Sequence, residues 1–285
     1  MILVTGATGN VGSAVLADLA NKPVAVRAFV RDPARLKVRA DNIEVVQGDF
    51  ANEADVRRAL DGVEVAFLAS NFSPAMVDLQ SRFIALAKIT HVRRLVHLSG
   101  VGANMQICCA RALRWLGQLE ATAADSGMTV THLRSTFFMQ NLLQFAPSIK
   151  QCGVIAGPFR SARWTFVDAR DVGAVGAVAL LDEKHDGQTF VVTGNESLSY
   201  QEVAERLGAK LGISVRYMDI TANEARGKLQ ASGANPVMIE ATLELWDACA
   251  SNLINIAPTS VVQDLTGRPP RSLDDFVSDY RSRFS

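Results

Sequence analysis

Net charge is the first thing this 285-residue sequence lacks: lysine plus arginine and aspartate plus glutamate each number 29. No overall field of either sign exists to draw the chain onto a polyanion, so a nucleic-acid partner is not expected. Long apolar runs are missing too. Nothing approaches the ~18 uninterrupted apolar residues of a membrane span, so no membrane partner is expected. A strand-like run that begins at residue 2 leaves no room for a leader peptide, which points to the cytoplasm. Cysteine is scarce: Cys108, Cys109, Cys152 and Cys249 show no C-x-x-C spacing, and His91, His97, His132 and His185 do not cluster with them. A metal site is therefore not expected, and the thiols, including the adjacent Cys108 and Cys109 at the start of a helix, read as free in a reducing compartment. There is no internal repeat and no low-complexity segment.

What is present is an ordinary globular composition, 48% hydrophobic and 20% charged, with enough chain for a large core. Apolar, β-branched runs at 2–4, 24–30, 43–47, 63–69, 95–98 and 130–133 alternate with helical patterns. Strands of that kind, covered on both faces and joined by helices, make a parallel sheet wound by right-handed crossovers. The expected fold is α/β, a Rossmann-type doubly wound parallel sheet of six strands. Local signals mark the helices: Asn52 caps the run 56–60 that Gly62 ends, further helices cover 78–89 and 110–124, and Ser126-Gly127 stops the latter. After about residue 140 the alternation loosens around Pro147, Gly153, Gly157 and Pro158. The expected organisation is an N-terminal Rossmann-type domain over 1–140 and a smaller mixed α/β C-terminal lobe over 141–285, with some segments returning to the first domain. Within that lobe a helix covers 171–181, Ser199-x-x-Glu202 and Thr221-x-x-Glu224 have capping-box spacing, and 189–193 and 215–218 read as strands.

The chemistry-bearing motif is Thr5-Gly6-Ala7-Thr8-Gly9-Asn10-Val11-Gly12, between the first strand and a helix over 13–20. Gly6 permits a tight turn off the strand, Gly9 lets backbone approach a pyrophosphate, and Gly12 allows close packing of helix on sheet. The helix N-terminus then offers unpaired amides and the positive end of its dipole to the phosphates. Thr5, Gly6, Thr8, Gly9, Asn10, Val11 and Gly12 are accordingly assigned to a dinucleotide. A glycine triplet alone is weak; following an apolar strand and opening a helix makes it specific. At the end of the second strand, where an NAD-selective site places an acid on the ribose, stand Arg31 and then Asp32. Arginine suits a 2′-phosphate, so NADPH is the expected cofactor, with NADH as the alternative donor. Arg35 and Lys37 lie nearby, and Asp49 with Phe50, at the third strand end, and Ala69 and Asn71, at the fourth, complete the assigned cofactor contacts.

These residues, together with the blocks Val30-Arg31-Asp32-Pro33-Ala34, Gln47-Gly48-Asp49-Phe50, Leu98-Ser99-Gly100-Val101, Leu133-Arg134-Ser135-Thr136-Phe137-Phe138-Met139-Gln140-Asn141 and Asp168-Ala169-Arg170-Asp171-Val172, run through nearly the whole chain. The sequence resembles the atypical short-chain dehydrogenase/reductases, more narrowly the NmrA-like group that includes NADPH-dependent quinone and triphenylmethane dye reductases. The resemblance implies an N-terminal nucleotide domain, a smaller C-terminal lobe and a cleft between them. It also places a substrate- or nicotinamide-binding hydroxyl at Ser99, the one catalytic candidate.

One departure from the superfamily narrows the chemistry. Typical members protonate substrate with the tyrosine of Tyr-x-x-x-Lys, yet Tyr200, Tyr217 and Tyr280 are followed four positions on by Ala204, Thr221 and Phe284, and the helix after Arg111 holds no lysine. Hydride transfer to a quinone or similar conjugated acceptor tolerates that loss, because the product anion is delocalised and water can protonate it. Catalysis then reduces to holding a small-molecule acceptor against the nicotinamide in a dry, flat slot. Phe137, Phe138, Met139, Asn141 and Trp164 are the candidates for lining it, although core packing suits Met139 better and Phe138 and Trp164 equally well. His97, two residues before Ser99, reads as a packed histidine, and Glu120 as a solvated charge. The alternative function is a non-catalytic NADP(H)-sensing regulator of the NmrA type, and a homodimer is left open.

Overall fold

A computed structural model describes residues 1–104, 110–254 and 256–284. Cys108 and Cys109 lie outside the described residues. The first half runs β1 (Ile2–Val4), α1 (Asn10–Leu19), β2 (Val26–Val30), β3 (Ile43–Gln47), α2 (Glu53–Leu60), β4 (Val65–Leu68), α3 (Met76–Ile89), β5 (Arg94–Gly100), α4 (Arg111–Ala124) and β6 (Thr129–Ser135). The second runs β7 (Phe137–Phe138), α5 (Ala146–Cys152), β8 (Val154–Gly157), β9 (Arg163–Val167), α6 (Ala169–Leu181), β10 (Thr189–Val192), β11 (Ser197–Ser199), α7 (Tyr200–Leu211), β12 (Arg216–Asp219), α8 (Ala222–Ala231), α9 (Pro236–Ala250), α10 (Val261–Thr266), α11 (Leu273–Asp279) and α12 (Arg281–Phe284).

Among the described residues, the main sheet has seven strands in the order β10-β6-β5-β4-β1-β2-β3, every pair parallel. β1 and β4 are buried along their whole length, as a sheet covered on both faces requires. Alternate side chains feed two cores: Ile2, Val4 and Phe67 pack with Val11 and Val15 of α1 and with Val172 and Val175 of α6. Leu3, Ala66 and Leu68 face the other way, onto α2 and onto Phe83 and Ile84 of α3. The seventh strand is a difference from the sequence expectation, which assigned 189–193 to the C-terminal lobe. β10 instead pairs in register with β6, Phe190 opposite Leu133, and its Phe190 and Val192 sit in the first core.

The glycines of α6 explain how that helix reaches the sheet. A Cβ on Gly173 would collide with Ala14 and come within 2.9 Å of the Val15 amide nitrogen, so α1 and α6 touch backbone to backbone. Asn52 accepts from the Ala54 amide, and both Ser199–Glu202 and Thr221–Glu224 form complete capping boxes. A third core is aromatic, with Phe159, Trp164, Phe166 and Tyr200 packed against α5, α7 and α11. It is flanked by the small sheets β11-β9-β7 and β12-β8. Because β7 follows β6 after a single residue, this core is tethered to the carboxyl edge of the main sheet.

Gly173→Val should lower the free energy of unfolding by about 1–3 kcal/mol through overpacking between α1 and α6, read as a fall in the urea midpoint at unchanged slope.

Candidate active site

The strand order reverses between β1 and β4, and the glycine turn lies at that switch point. Gly6 has φ +60°, and a Cβ there would lie 2.9 Å from the Ala69 carbonyl oxygen. A Cβ on Gly12 would overlap the Gly6 carbonyl and stand 3.1 Å from the Ala7 nitrogen. The head of α1 is thus pressed into the turn itself, a tighter constraint than packing of helix on sheet. Gly9 closes the turn, its amide donating to the Gly6 carbonyl at 2.8 Å, and the first helical bond runs from the Ser13 amide to the Gly9 carbonyl at 3.0 Å. No side chain caps the helix and no acid stands in its first turn. The amides of Asn10, Val11 and Gly12 have no partner among the described residues. Thr8, Gly9 and Asn10 form the exposed lip above them.

Thr5 does different work from the contact assigned to it. Its buried hydroxyl donates towards the Phe67 and Ala69 carbonyls and accepts from the Ala69 amide at 2.9 Å. It ties the end of β1 to the end of β4, and its single proton is directed at those carbonyls. The Val11 side chain is likewise part of the first core, so any contact Val11 makes with a ligand is through its backbone amide.

At the end of β2, Arg31 is exposed and its guanidinium has no hydrogen bond or ion pair among the described residues. Asp32 is engaged, accepting from the Ala34 amide at 3.0 Å as cap of the short 3₁₀ turn Pro33–Arg35. Asp49 is similarly occupied: one oxygen accepts from the Ala51 amide at 2.8 Å, and its own amide donates to Asp55. The Phe50 ring stacks on Phe83 at 5.3 Å. Asp49 and Phe50 thus shape the β3–α2 junction through one carboxylate oxygen and the stacked ring, and the Arg31 guanidinium is engaged by nothing among the described residues.

A cleft of about 600 Å³ opens beside the turn, bounded by the ends of β4, β5 and β6, by β7 and β9, and by α4 and α9. Its lining brings together Ala69, Ser99, Phe137, Phe138, Asn141 and Trp164 of the sequence-assigned residues. Met139 is absent from it and is packed in the aromatic core. Trp164 is 3% exposed and meets Phe137 edge to face at 4.3 Å. The wall that sequence reasoning missed is helical: Leu113 and Leu116 from α4, and Thr242, Leu245, Trp246 and Cys249 from α9. A signal for α9 existed, since Asn235 accepts from the Val237 amide ahead of Pro236 at the first helical position.

Behind Ser99 lies a polar cluster that corrects the expectation for Glu120. Glu120 is 11% exposed and paired with Arg134. One carboxylate oxygen accepts from Ser99 Oγ at 2.6 Å and from Arg134 Nε at 2.9 Å, and the other from an Arg134 terminal nitrogen at 2.5 Å. Burial pushes the Glu120 carboxyl up, but the bonds from Arg134 and Ser99, with the charges of His132 and Arg134, outweigh it and hold the group below the usual range. Periodicity placed Glu120 on a helix and could not see that Arg134 faces it from β6. His97 is packed, as expected, and fully buried, with Nδ1 3.2 Å from His132 Nδ1 and Nε2 3.2 Å from Gln80 Oε1. Burial first, then the neighbouring His132, depresses it to about 3 against the pull of Glu120, so it stays neutral.

Among the described residues no group of His, Cys, Asp and Glu could hold a metal ion, and no helix is long and apolar enough to cross a membrane. The model of the NmrA-like family matches residues 1–248. The chain is 32% identical over its whole length to an NAD(P)H azoreductase of Xenophilus azovorans, covering 99% of that protein. It is 36% identical to a (4-alkanoyl-5-oxo-2,5-dihydrofuran-3-yl)methyl phosphate reductase of Streptomyces griseus, covering 100% of this chain and 99% of that one. Among solved structures it superimposes with a TM-score of 0.85 on an NADPH-dependent quinone oxidoreductase of Escherichia coli, 25% identical, covering 99% of this chain and 100% of that one.

His97 sets a pH dependence. Its folded pKa lies below the ordinary 6.5, so the unfolded chain binds the extra proton and stability is lost as pH falls below that value. Between pH 6.5 and 5 the loss should be on the order of 1–2 kcal/mol. Denaturant titrations at the two pH values should show a smaller change for His97→Gln.

Proposed function

This chain belongs to the NmrA-like family, and from that premise we propose that it is an NADPH-dependent reductase passing hydride to a quinone or a similarly conjugated acceptor. The observation that carries the proposal is the junction of two features: unpaired amides at the head of α1 and an aromatic-walled cleft that begins at the adjoining strand end, Ala69. The relatives named as NAD(P)H azoreductase and as a phosphate-ester reductase support the reductase class, and the quinone oxidoreductase supports the acceptor class.

The residues present fit a dinucleotide. The glycine turn is a cradle that a Cβ would fill at Gly6 and Gly12, and the three free amides can accept a diphosphate at the positive end of the helix dipole. Arg31 can meet a 2′-phosphate without first breaking a bond inside the protein. When bound, NADPH supplies the hydride. Phe137, Phe138, Trp164 and Trp246 give the acceptor flat, apolar walls, and excluding water there keeps the transfer productive.

A proton-donating tyrosine has no place in this scheme. No tyrosine or lysine lines the cleft among the described residues, and burial pushes the Tyr200 phenol far up inside the aromatic core. Glu120, held ionised, has no proton to give at neutral pH. A conjugated acceptor fits these limits because its reduced form spreads the negative charge and takes its proton from water once it leaves the cleft. A regulator that only senses dinucleotide would need the turn but not the cleft.

Two measurements check the proposal. Purified protein should oxidise NADPH steadily with quinones or azo dyes and leave simple ketones untouched; binding of NADPH with no turnover on either class would contradict it. Arg31→Ala should weaken NADPH roughly ten- to a hundredfold, the equivalent of one charge-assisted bond, and leave NADH affinity nearly unchanged in a fluorescence titration.

A further inference from the structure

The hydrogen-bond polarity of Ser99 in the cleft is set from behind. Ser99 has one hydroxyl proton, and it is committed to Glu120 Oε1 at 2.6 Å. That oxygen cannot turn away, because Arg134 holds the same carboxylate through two further bonds, from Nε to Oε1 and from a terminal nitrogen to Oε2. Three other hydroxyls of the lining also direct their protons to backbone carbonyls. Ser135 donates to the Ser99 carbonyl at 3.3 Å, Thr136 to the Val192 carbonyl at 3.5 Å, and Thr165 to the Ile256 carbonyl at 2.5 Å. A hydroxyl whose proton is spent offers only lone pairs.

We propose that Ser99, with its proton fixed on Glu120, acts as a hydrogen-bond acceptor in the cleft and selects a ligand group bearing an N–H or O–H. Ser99 is a specificity-determining contact, and Glu120 is the positioning residue that sets its polarity. The assignment is opposite to polarising a carbonyl oxygen, for which the serine would have to donate. It rests on the cleft being the site of hydride transfer, and two ligands could supply the donor: the carboxamide of the nicotinamide, or a hydroxyl or amino substituent on the acceptor.

Paired ligands in equilibrium binding separate the sources. NADP⁺ against its 3-acetylpyridine analogue tests the carboxamide, since the analogue keeps the carbonyl and loses the N–H. With NADP⁺ bound, 2-naphthol against 2-methoxynaphthalene tests the acceptor. In one of the two pairs Ser99→Ala should weaken the N–H or O–H ligand by about three- to tenfold more than its partner. Equal effects on both members of both pairs would overturn the proposal while leaving the cofactor site intact. Failure of the wild-type protein to bind NADP⁺ at all would instead remove the reductase reading and this one with it. Glu120→Ala combined with Arg134→Ala, which leaves no cation unpaired, frees the hydroxyl to rotate. The wild-type preference for the donor ligand should then shrink although Ser99 is still present, which loss of packing alone would not produce; should this variant fail to fold, Ser99→Ala carries the test.

Discussion

Three backbone amides without partners among the described residues, those of Asn10, Val11 and Gly12, are the constraint around which the first half of the molecule is arranged. Unpaired amides are tolerable at a helix start only where solvent or a ligand reaches them, and several features keep them open. Gly9 caps the helix without a side chain, and the first turn carries no acid that would compete for the dipole. Thr5 pins β1 to β4 through its hydroxyl so that the turn starts from a fixed point. Gly6 and Gly12 let the turn close on itself where any Cβ would collide. The positive-φ conformation at Gly6 is one that residues with side chains adopt only at a cost.

The cleft follows from the same geometry. Placing the turn at the strand-order reversal sets the mouth of the site above β1 and β4, and the chain returns to that edge when β6 passes into β7. Phe137 and Phe138 then belong both to the small sheet with β9 and to the wall of the cavity. The aromatic core behind them, with Phe159 stacked on Tyr200 at 3.7 Å, gives that wall its rigidity. A site of this kind works by holding flat partners together and excluding water, and fixed walls suit it better than a mobile proton donor does.

Legibility in the sequence followed locality. The glycine turn could be read because the motif that forms it lies between positions 5 and 12, although its anchor on Phe67 and Ala69 does not, and the capping boxes at Ser199 and Thr221 because each spans four residues. β10 could not be assigned to the main sheet, since its partner β6 lies more than fifty residues earlier and the run Thr189–Val192 has the same apolar character as any strand. Glu120 was misplaced for the same reason: its helical position is local, but Arg134 and Ser99, which hold it, come from two different strands. The α9 wall is another case, because the Asn235-Pro236 start is visible in the sequence while the face that reaches the cleft is not. Asp49 and Asp32 show the reverse side of locality. Both stand at strand ends, and one oxygen of each carboxylate accepts from an amide two residues on.

The most direct test of the central claim is amide hydrogen exchange resolved at residues 9–13, with and without saturating NADP⁺. Occupied by a diphosphate, the amides of Asn10, Val11 and Gly12 should pass from fast exchange to strong protection, while that of Ser13, already bonded to the Gly9 carbonyl, changes little. Unaltered exchange at all three under saturating cofactor would contradict the account.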